Sequence, residues 1–260
     1  MLVRTNGVRL VGDDVGKGDP VLFVHAFPLN RRMWAPQVEA LSGRYRCLTV
    51  DLRGFGESDA PSGPYSLDEM AADLVGVLDA LRLDRVTLVG LSMGGYIAFA
   101  FWRRAADRLR GLVLADTRAA ADSEAAKAGR EALAQQAETA GLAPVVAAQL
   151  PRLLSPAASA DLRQWVSDMI EEATPQGVAG ALRGMAARQD AGAILPQITC
   201  PTLVVAGAQD VVTPAAEMAA MAKQLPRATY QVLADAGHLA NLEAPAAFSG
   251  VLREFLDTLP

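Results

Sequence analysis

The amino-acid sequence predicts an α/β fold, with a mostly parallel β-sheet flanked by helices and an inserted helical cap. Short runs of aliphatic and β-branched residues recur along the chain, separated by stretches with apolar residues at helical spacing. These runs are nearly continuous rather than alternating, which is typical of strands covered by helices on both faces. One alanine-rich interval, residues 117–199, contains no convincing strand and breaks the rhythm. Alternating strands and helices indicate an open α/β fold.

The predicted strands begin with a hairpin. The stretch "MLVRTNGVRLVGDD" has an Asn6-Gly7 pair between two short runs, and this pair favours the positive φ angles of a tight hairpin turn. Six further apolar runs predict the strands of the main sheet, the last being less continuous than the others: 21–26, 46–51, 86–91, 111–116, 202–207 and 229–234.

Two helices are readable in detail. Apolar residues recur at helical spacing over 67–81, and Ser66 with Glu69 forms a capping-box pattern in front of them. Residues 244–259 predict a final amphipathic helix with Pro245 in its first turn, where the missing N–H of proline costs no helical hydrogen bond.

The interval 117–199 predicts a helical cap. It is too long for a plain crossover between strands, so we expect it to lie over the carboxyl ends of the strands, where open α/β sheets bind ligands. Residues 1–116 and 200–260 would then form the core domain. Proline residues predict several short helices within the cap rather than one long helix: Pro144, Pro151, Pro156, Pro175 and Pro196.

Composition and charge exclude several classes of function. A net charge of −5 argues against a nucleic-acid or anionic-membrane partner, since both need a basic surface. The longest apolar runs have the length of strands, and the first residues resemble a hairpin rather than a leader, so we expect a cytoplasmic protein. Cys47 and Cys200 show no disulfide or metal-ligand spacing, and with only two histidines a histidine-rich metal site is excluded. We expect no metal and no cofactor.

A glycine-flanked serine is the first candidate for chemistry. Gly90-Leu91-Ser92-Met93-Gly94 follows an apolar strand and runs directly into a helix. This G-x-S-x-G pattern in a strand–turn–helix setting is typical of a nucleophile held on a sharp, strained turn. The start of the helix adds partial positive charge and free N–H groups.

A serine nucleophile needs a base and an acid that orients the base. His238 lies in a short loop between the run 229–234 and the final helix, and Asp210 lies just past the run 202–207. His25 is the alternative base, although it precedes a tight turn at the end of a strand. Asp116 and Asp235 are the alternative acids.

The chain resembles the serine esterases and enol-lactonases of the α/β-hydrolase fold over nearly its whole length. The resemblance implies that Ser92 is the nucleophile, Asp210 the acid and His238 the base. It implies an oxyanion hole made by the backbone N–H groups of Phe27 and Met93. The matching stretches are "VLFVHAFPLNRRMW", "DLRGFGESD", "GLSMGGYIAF", "GLVLADT", "PTLVVAGAQDVVTP" and "DAGHLANLEAP".

The chain departs from the family at one position in the oxyanion loop. His25 is followed by Ala26, where the family usually has glycine. The added methyl group would reshape the oxyanion hole slightly without removing an N–H donor.

The predicted activity is hydrolysis of carboxylic esters with small to medium acyl groups, on a small-molecule ester or lactone. An enol-lactonase, a small-peptide hydrolase or a carbon–carbon bond hydrolase would use the same three residues, and a perhydrolase side activity is compatible with them. Alternatively, the chain is a small-molecule receptor with vestigial hydrolysis. Trp165 and Met169, one helical turn apart in the cap, are candidates for substrate contact, or else for packing against the sheet. The oligomeric state does not follow from the sequence.

Overall fold

A computed structural model describes all residues, 1–260, and contains one eight-stranded sheet. Its strand order is β1-β2-β4-β3-β5-β6-β7-β8. The first two strands are antiparallel to their neighbours, and all later pairs are parallel. The strands are β1 Leu2–Thr5, β2 Val8–Val15, β3 Pro20–Val24, β4 Arg46–Val50, β5 Val86–Leu91, β6 Leu109–Ala115, β7 Thr202–Gly207 and β8 Ala228–Leu233.

Ten α-helices connect and cover these strands. Four of them, α4 to α7, follow one another between β6 and β7. None of the helices combines the length and the apolar composition needed to cross a bilayer. The helices are α1 Ala35–Leu41, α2 Leu67–Ala80, α3 Met93–Ala105, α4 Glu124–Ala140, α5 Ala143–Leu153, α6 Ala160–Glu171, α7 Pro175–Ala186, α8 Ala215–Ala222, α9 Ala240–Glu243 and α10 Pro245–Asp257.

The predicted fold class is confirmed, and each predicted run overlaps a strand. The hairpin turn has Asn6 at φ 44° and Gly7 at φ 77°, as the Asn-Gly pair predicted. The strand predicted over 111–116 begins earlier, at Leu109, and ends at Ala115 because Asp116 turns the backbone to φ 42°.

Local capping explains where three of the four inserted helices begin. The hydroxyl groups of Ser123, Ser159 and Thr174 each accept a hydrogen bond from an N–H in the first turn of α4, α6 and α7. Ser66 caps α2 in the same way, but the Glu69 carboxylate binds Arg53 instead of closing a capping box.

Pro151 does not separate two helices, contrary to the prediction. It lies inside α5, in the last turn before Leu153. A proline there removes only one hydrogen bond near the end of the helix, so α5 ends two residues later instead of breaking. Pro144 and Pro175 occupy first turns, where proline is well tolerated.

One continuous apolar core joins the sheet and the inserted helices. Val24 of β3 and Leu88 of β5 belong to the same cluster of buried residues as Val166 of α6 and Val178 of α7. The inserted helices are therefore packed against the sheet layers through a shared core.

A buried ion pair fixes the loop after β4 to α2. Arg53 and Asp73 have side chains only 3% and 1% exposed, and two parallel hydrogen bonds of 2.6 and 2.8 Å join them. Asn6 of the hairpin turn donates a third bond to Asp73, at 3.0 Å. Arg9 and Asp59 form a comparable pair at the surface, with side chains 40% and 42% exposed.

We expect Arg53→Met to lower the free energy of unfolding by about 3–5 kcal/mol, because it leaves the Asp73 carboxylate buried without its counter-charge. Arg9→Met, the matched change in the exposed pair, should cost less than about 1 kcal/mol. Urea unfolding of both variants measures the difference, and equal losses in the two variants would contradict the assignment.

Candidate active site

Ser92 occupies a strained turn between β5 and α3. Its backbone has φ 55° and ψ −112°, a region that a residue with a side chain rarely adopts. The Ser92 N–H donates to the Ala115 carbonyl at 2.9 Å, and the Thr117 hydroxyl donates to the Ser92 carbonyl at 2.8 Å. A Cβ on Gly90 would collide with the Gly94 backbone, so the turn needs glycine there.

Ser92, His238 and Asp210 form one hydrogen-bonded chain. His238 Nε2 lies 2.8 Å from Ser92 Oγ, and His238 Nδ1 lies 2.8 Å from Asp210 Oδ2. The residues are 8%, 1% and 6% exposed, respectively. With the ring proton on Nδ1, donated to Asp210, the Nε2 lone pair is free to accept the Ser92 proton.

Asp210 is held in its ionised form by its neighbours. Oδ1 accepts N–H bonds from Val212 at 2.7 Å and Thr213 at 3.0 Å, and Oδ2 accepts the Thr213 hydroxyl at 2.5 Å. Burial by itself raises the pKa of Asp210, but the hydrogen bond and charge of His238, together with Thr213, outweigh it and lower the pKa to about 2.

The alternative base, His25, is fully buried and uses both ring nitrogens elsewhere. Nδ1 donates to the Ala26 carbonyl at 3.0 Å, and Nε2 accepts the Leu52 N–H at 3.1 Å. Burial lowers the pKa of His25, which keeps the ring neutral. Its position therefore suits a scaffold for the loop that follows β3.

Neither of the alternative acids forms a hydrogen bond with His238. Asp116 is fully buried, its Oδ1 accepts the Gly207 N–H at 2.7 Å, and its Oδ2 has no hydrogen-bond partner. Burial, and then the charge of Asp210, raise the pKa of Asp116 well above its ordinary value. Asp235 is exposed on the loop that carries His238.

Phe27 and Met93, the predicted oxyanion-hole donors, lie near Ser92: Phe27 lines the same cavity and Met93 is the next residue. Met93 begins α3, so its N–H has no partner within the helix. The Phe27 N–H donates to no other backbone group. Ala26 has no positive φ, so its backbone conformation is open to any residue and does not require glycine. Its N–H donates to the Met33 sulfur at 3.2 Å, which fixes the loop from inside.

A cavity of about 550 Å³ opens at Ser92 and His238, within the range of small-molecule sites. Most of its wall comes from α4, α5 and α7 of the insertion. A second cavity of about 600 Å³ lies at the opposite edge of the sheet, where residues such as Pro20, Leu109 and Pro201 precede or begin the parallel strands. Neither Ser92, His238 nor Asp210 lines this second cavity.

The predicted substrate contacts Trp165 and Met169 do not line the cavity at Ser92. Both belong to α6, which contributes no residue to that wall. Met169 is 1% exposed within the apolar core, and Trp165 is partly buried against the same core. Their helical spacing therefore reflects packing, the second of the two readings that the sequence allowed.

Glu243 was missed by the sequence analysis, although it lies in the same stretch as His238. Its two carboxylate oxygens accept the Gly237 N–H and the Ser155 N–H, each at 2.8 Å. The Leu239 N–H donates to the Leu153 carbonyl at 3.0 Å. These bonds tie the loop that carries His238 to the last residue of α5 and to the segment after it.

No three His, Cys, Asp or Glu side chains converge in the arrangement that a metal ion would need. Cys47 and Cys200 are unpaired thiols, and burial raises the pKa of Cys47 to about 11.

Known proteins are similar to this chain in fold and in sequence over nearly its whole length. The alpha/beta hydrolase fold family matches residues 19–245. An esterase from Thermogutta terrifontis, solved with malate bound, is 42% identical with a TM-score of 0.96, covering 99% of this chain and 97% of that one. An enol-lactonase from Burkholderia xenovorans LB400 is 31% identical with a TM-score of 0.90, covering 99% and 100%. The 3-oxoadipate enol-lactonase 1 of Acinetobacter baylyi is 31% identical over 259 residues, 98% of this chain and 94% of that protein.

The ionised Asp210 stabilises the fold in a pH-dependent way. Its pKa falls from 3.8 to about 2 on folding, so the stabilisation is fully present above about pH 4 and is lost as the pH falls toward 2. We expect the free energy of unfolding of wild type to exceed that of Asp210→Asn by about 2 kcal/mol at pH 7 and by about half of that at pH 3. Urea unfolding across this range measures the difference, and a constant gap would contradict the assignment.

Glu243→Ala should lower the free energy of unfolding by about 1–3 kcal/mol, because the N–H groups of Gly237 and Ser155 lose their acceptor. Glu243→Gln keeps one acceptor oxygen and should lose less. Glu254→Ala removes an exposed glutamate from α10 and serves as the control, with a loss below about 0.5 kcal/mol. The order of the three variants in urea unfolding is the test.

Proposed function

The chain belongs to the α/β-hydrolase fold family, as its sequence predicted, and we propose that it is a serine hydrolase of carboxylic esters. The observation that carries the proposal is the hydrogen-bonded chain from Ser92 through His238 to Asp210, with 2.8 Å between each pair. This geometry activates a serine hydroxyl, which is otherwise a weak nucleophile.

In the acylation step, Ser92 Oγ attacks the ester carbonyl while its proton moves to His238 Nε2. Asp210 stays ionised, fixes the ring tautomer and stabilises the imidazolium that forms. The low pKa of Asp210 suits this role, since its carboxylate retains its charge throughout.

The N–H groups of Phe27 and Met93 stabilise the tetrahedral intermediate. When the serine oxygen forms a bond to the carbonyl carbon, negative charge develops on the former carbonyl oxygen. The two fixed N–H donors then stabilise this charge. Losing one such donor typically slows an enzyme by about 10²–10³-fold.

The second step releases the acid. His238 first gives its proton to the leaving alcohol, which breaks the ester bond and leaves the acyl group on Ser92. The same imidazole then takes a proton from water as the water oxygen attacks the acyl-enzyme, and it returns that proton to Ser92 Oγ as the acid leaves, which restores the free serine.

We further propose that residues 117–199 act as the cap domain over a core of 1–116 and 200–260. The wall of the cavity at Ser92 comes mostly from this interval. A cap with this placement selects the substrate, whereas the core supplies the reacting groups.

Lactone hydrolysis is the second candidate, favoured by the enol-lactonases that match the chain over nearly its full length. A lactone is a cyclic ester, so attack by Ser92 would open the ring and leave the alcohol attached to the acyl group. Rates on a lactone series, beside the open-chain esters, distinguish the two candidates.

We expect p-nitrophenyl esters of two to twelve acyl carbons to show a chain-length optimum that Ser92→Ala abolishes, with kcat/KM falling about 10⁴-fold or more. Ser62→Ala, at an exposed serine, is the matched control and should retain full activity.

Equal rates in wild type and Ser92→Ala on every ester and lactone would overturn the proposed function. Ligand binding without Ser92-dependent turnover would instead support a receptor.

A further inference from the structure

The cavity at Ser92 has an unusual charge for a protein with a net charge of −5. Three arginines line it, Arg118, Arg130 and Arg152, whereas Asp122 is its only carboxylate. The wall therefore carries excess positive charge next to the proposed nucleophile.

Asp122 does not neutralise this excess, because two arginines share it. Arg130 Nε bonds one of its oxygens, and Arg188 Nη1 lies 2.8 Å from the other. Arg188 is itself buried, with its guanidinium 4.2 Å from the centre of the Tyr96 ring. Burial raises the pKa of Asp122, but these two arginines outweigh burial and lower it. One positive charge remains on the Arg130–Asp122–Arg188 group.

Only some of the N–H donors of the Arg118 guanidinium have a partner. Its Nη2 donates to the Val212 carbonyl and lies 3.4 Å from Glu217, a side chain that is 53% exposed. Its Nε is buried and has no hydrogen-bond partner. Glu217 does not line the cavity, so the nearest counter-charge of Arg118 lies outside it.

Arg152 has no partner in the chain: it is exposed and takes part in no hydrogen bond or ion pair. It lies on α5 one turn after Gln149, and both side chains face the cavity. The next residue, Leu153, accepts the hydrogen bond from Leu239, which follows His238. The backbone thus places Arg152 beside the loop of the proposed base, with up to five N–H donors to offer.

We propose that the substrate is an ester or lactone that carries a carboxylate, and that Arg152 binds this carboxylate. Arg118 and Arg130 supply the positive potential around it. A planar guanidinium donates two parallel hydrogen bonds to a carboxylate, which fixes the orientation of the substrate as well as its charge. The inference rests on the proposed function, since it names the substrate class of the same site.

Two matched substrates test the inference: the mono-p-nitrophenyl ester of glutaric acid, and p-nitrophenyl 5-methylhexanoate, in which an isopropyl group replaces the carboxylate. We expect wild type to favour the carboxylate substrate about tenfold in kcat/KM, mainly through KM. The preference should fall in 0.5 M NaCl, because the salt screens an exposed arginine.

In Arg152→Gln the ratio of the two kcat/KM values should fall about tenfold. Arg104→Gln removes the same charge from an exposed position on α3 that does not line the cavity, and should leave the ratio unchanged. A wild-type ratio near one, or the same ratio in both variants, would overturn the inference. Ser92-dependent turnover of the neutral ester would then still support the proposed function.

A binding measurement keeps the inference testable even without turnover. In Ser92→Ala, calorimetry should show tighter binding of the carboxylate ester than of its neutral counterpart, and Arg152→Gln should remove the difference. Equal affinities for the two esters in Ser92→Ala would overturn the inference.

Discussion

The positive φ of Ser92 is the constraint on which the rest of the site depends. A non-glycine residue in such a conformation costs on the order of 1–3 kcal/mol and persists only where the surroundings over-determine it. Here β6 and the turn that follows it supply both restraints, through the Ala115 carbonyl and the Thr117 hydroxyl. Since β5 is buried along its whole length, the turn cannot relax without disturbing the centre of the sheet. The strain therefore lifts Ser92 Oγ above the strand ends, where His238 can reach it.

The parallel sheet accounts for how much of this site the sequence could predict. Ser92, Asp210 and His238 each follow a strand, and the carboxyl ends of parallel strands meet at one edge of a sheet. The pattern of apolar runs predicts those ends to within a residue or two. The sequence could therefore predict that His238 lies close to Ser92 and to Asp210, which are 146 and 28 positions away from it along the chain. Asp116 also follows a strand, and position alone could not separate it from Asp210. Only the hydrogen bond to His238 does so.

The residues that line the cavity could not be predicted from the sequence, and the reason is physical. An amphipathic helix shows which face is apolar, but not whether that face meets a core or a cavity. Trp165 and Met169 looked like a pocket wall and belong to the core. Conversely, Arg130 and Arg152 resemble the charges of any solvated helix face and line the cavity. Contacts between distant segments, such as Glu243 with Ser155, leave no local pattern at all.

The segment that ends α5 would join the proposed substrate contact to the proposed reacting groups. Leu153 and Ser155 anchor the loop of His238, and Arg152 precedes them directly. A carboxylate bound by Arg152 would be held by the same short stretch of backbone that fixes the position of His238, the proposed base. Movement of the insertion that changes the fit of the substrate would therefore also shift His238 relative to Ser92. An imidazole-to-serine hydrogen bond of 2.8 Å tolerates little such displacement, since the bond weakens steeply as its geometry is lost. Under the proposed function, substrate selectivity and reactivity would be coupled through this backbone segment, and the inserted helices that carry it share one continuous core with the sheet.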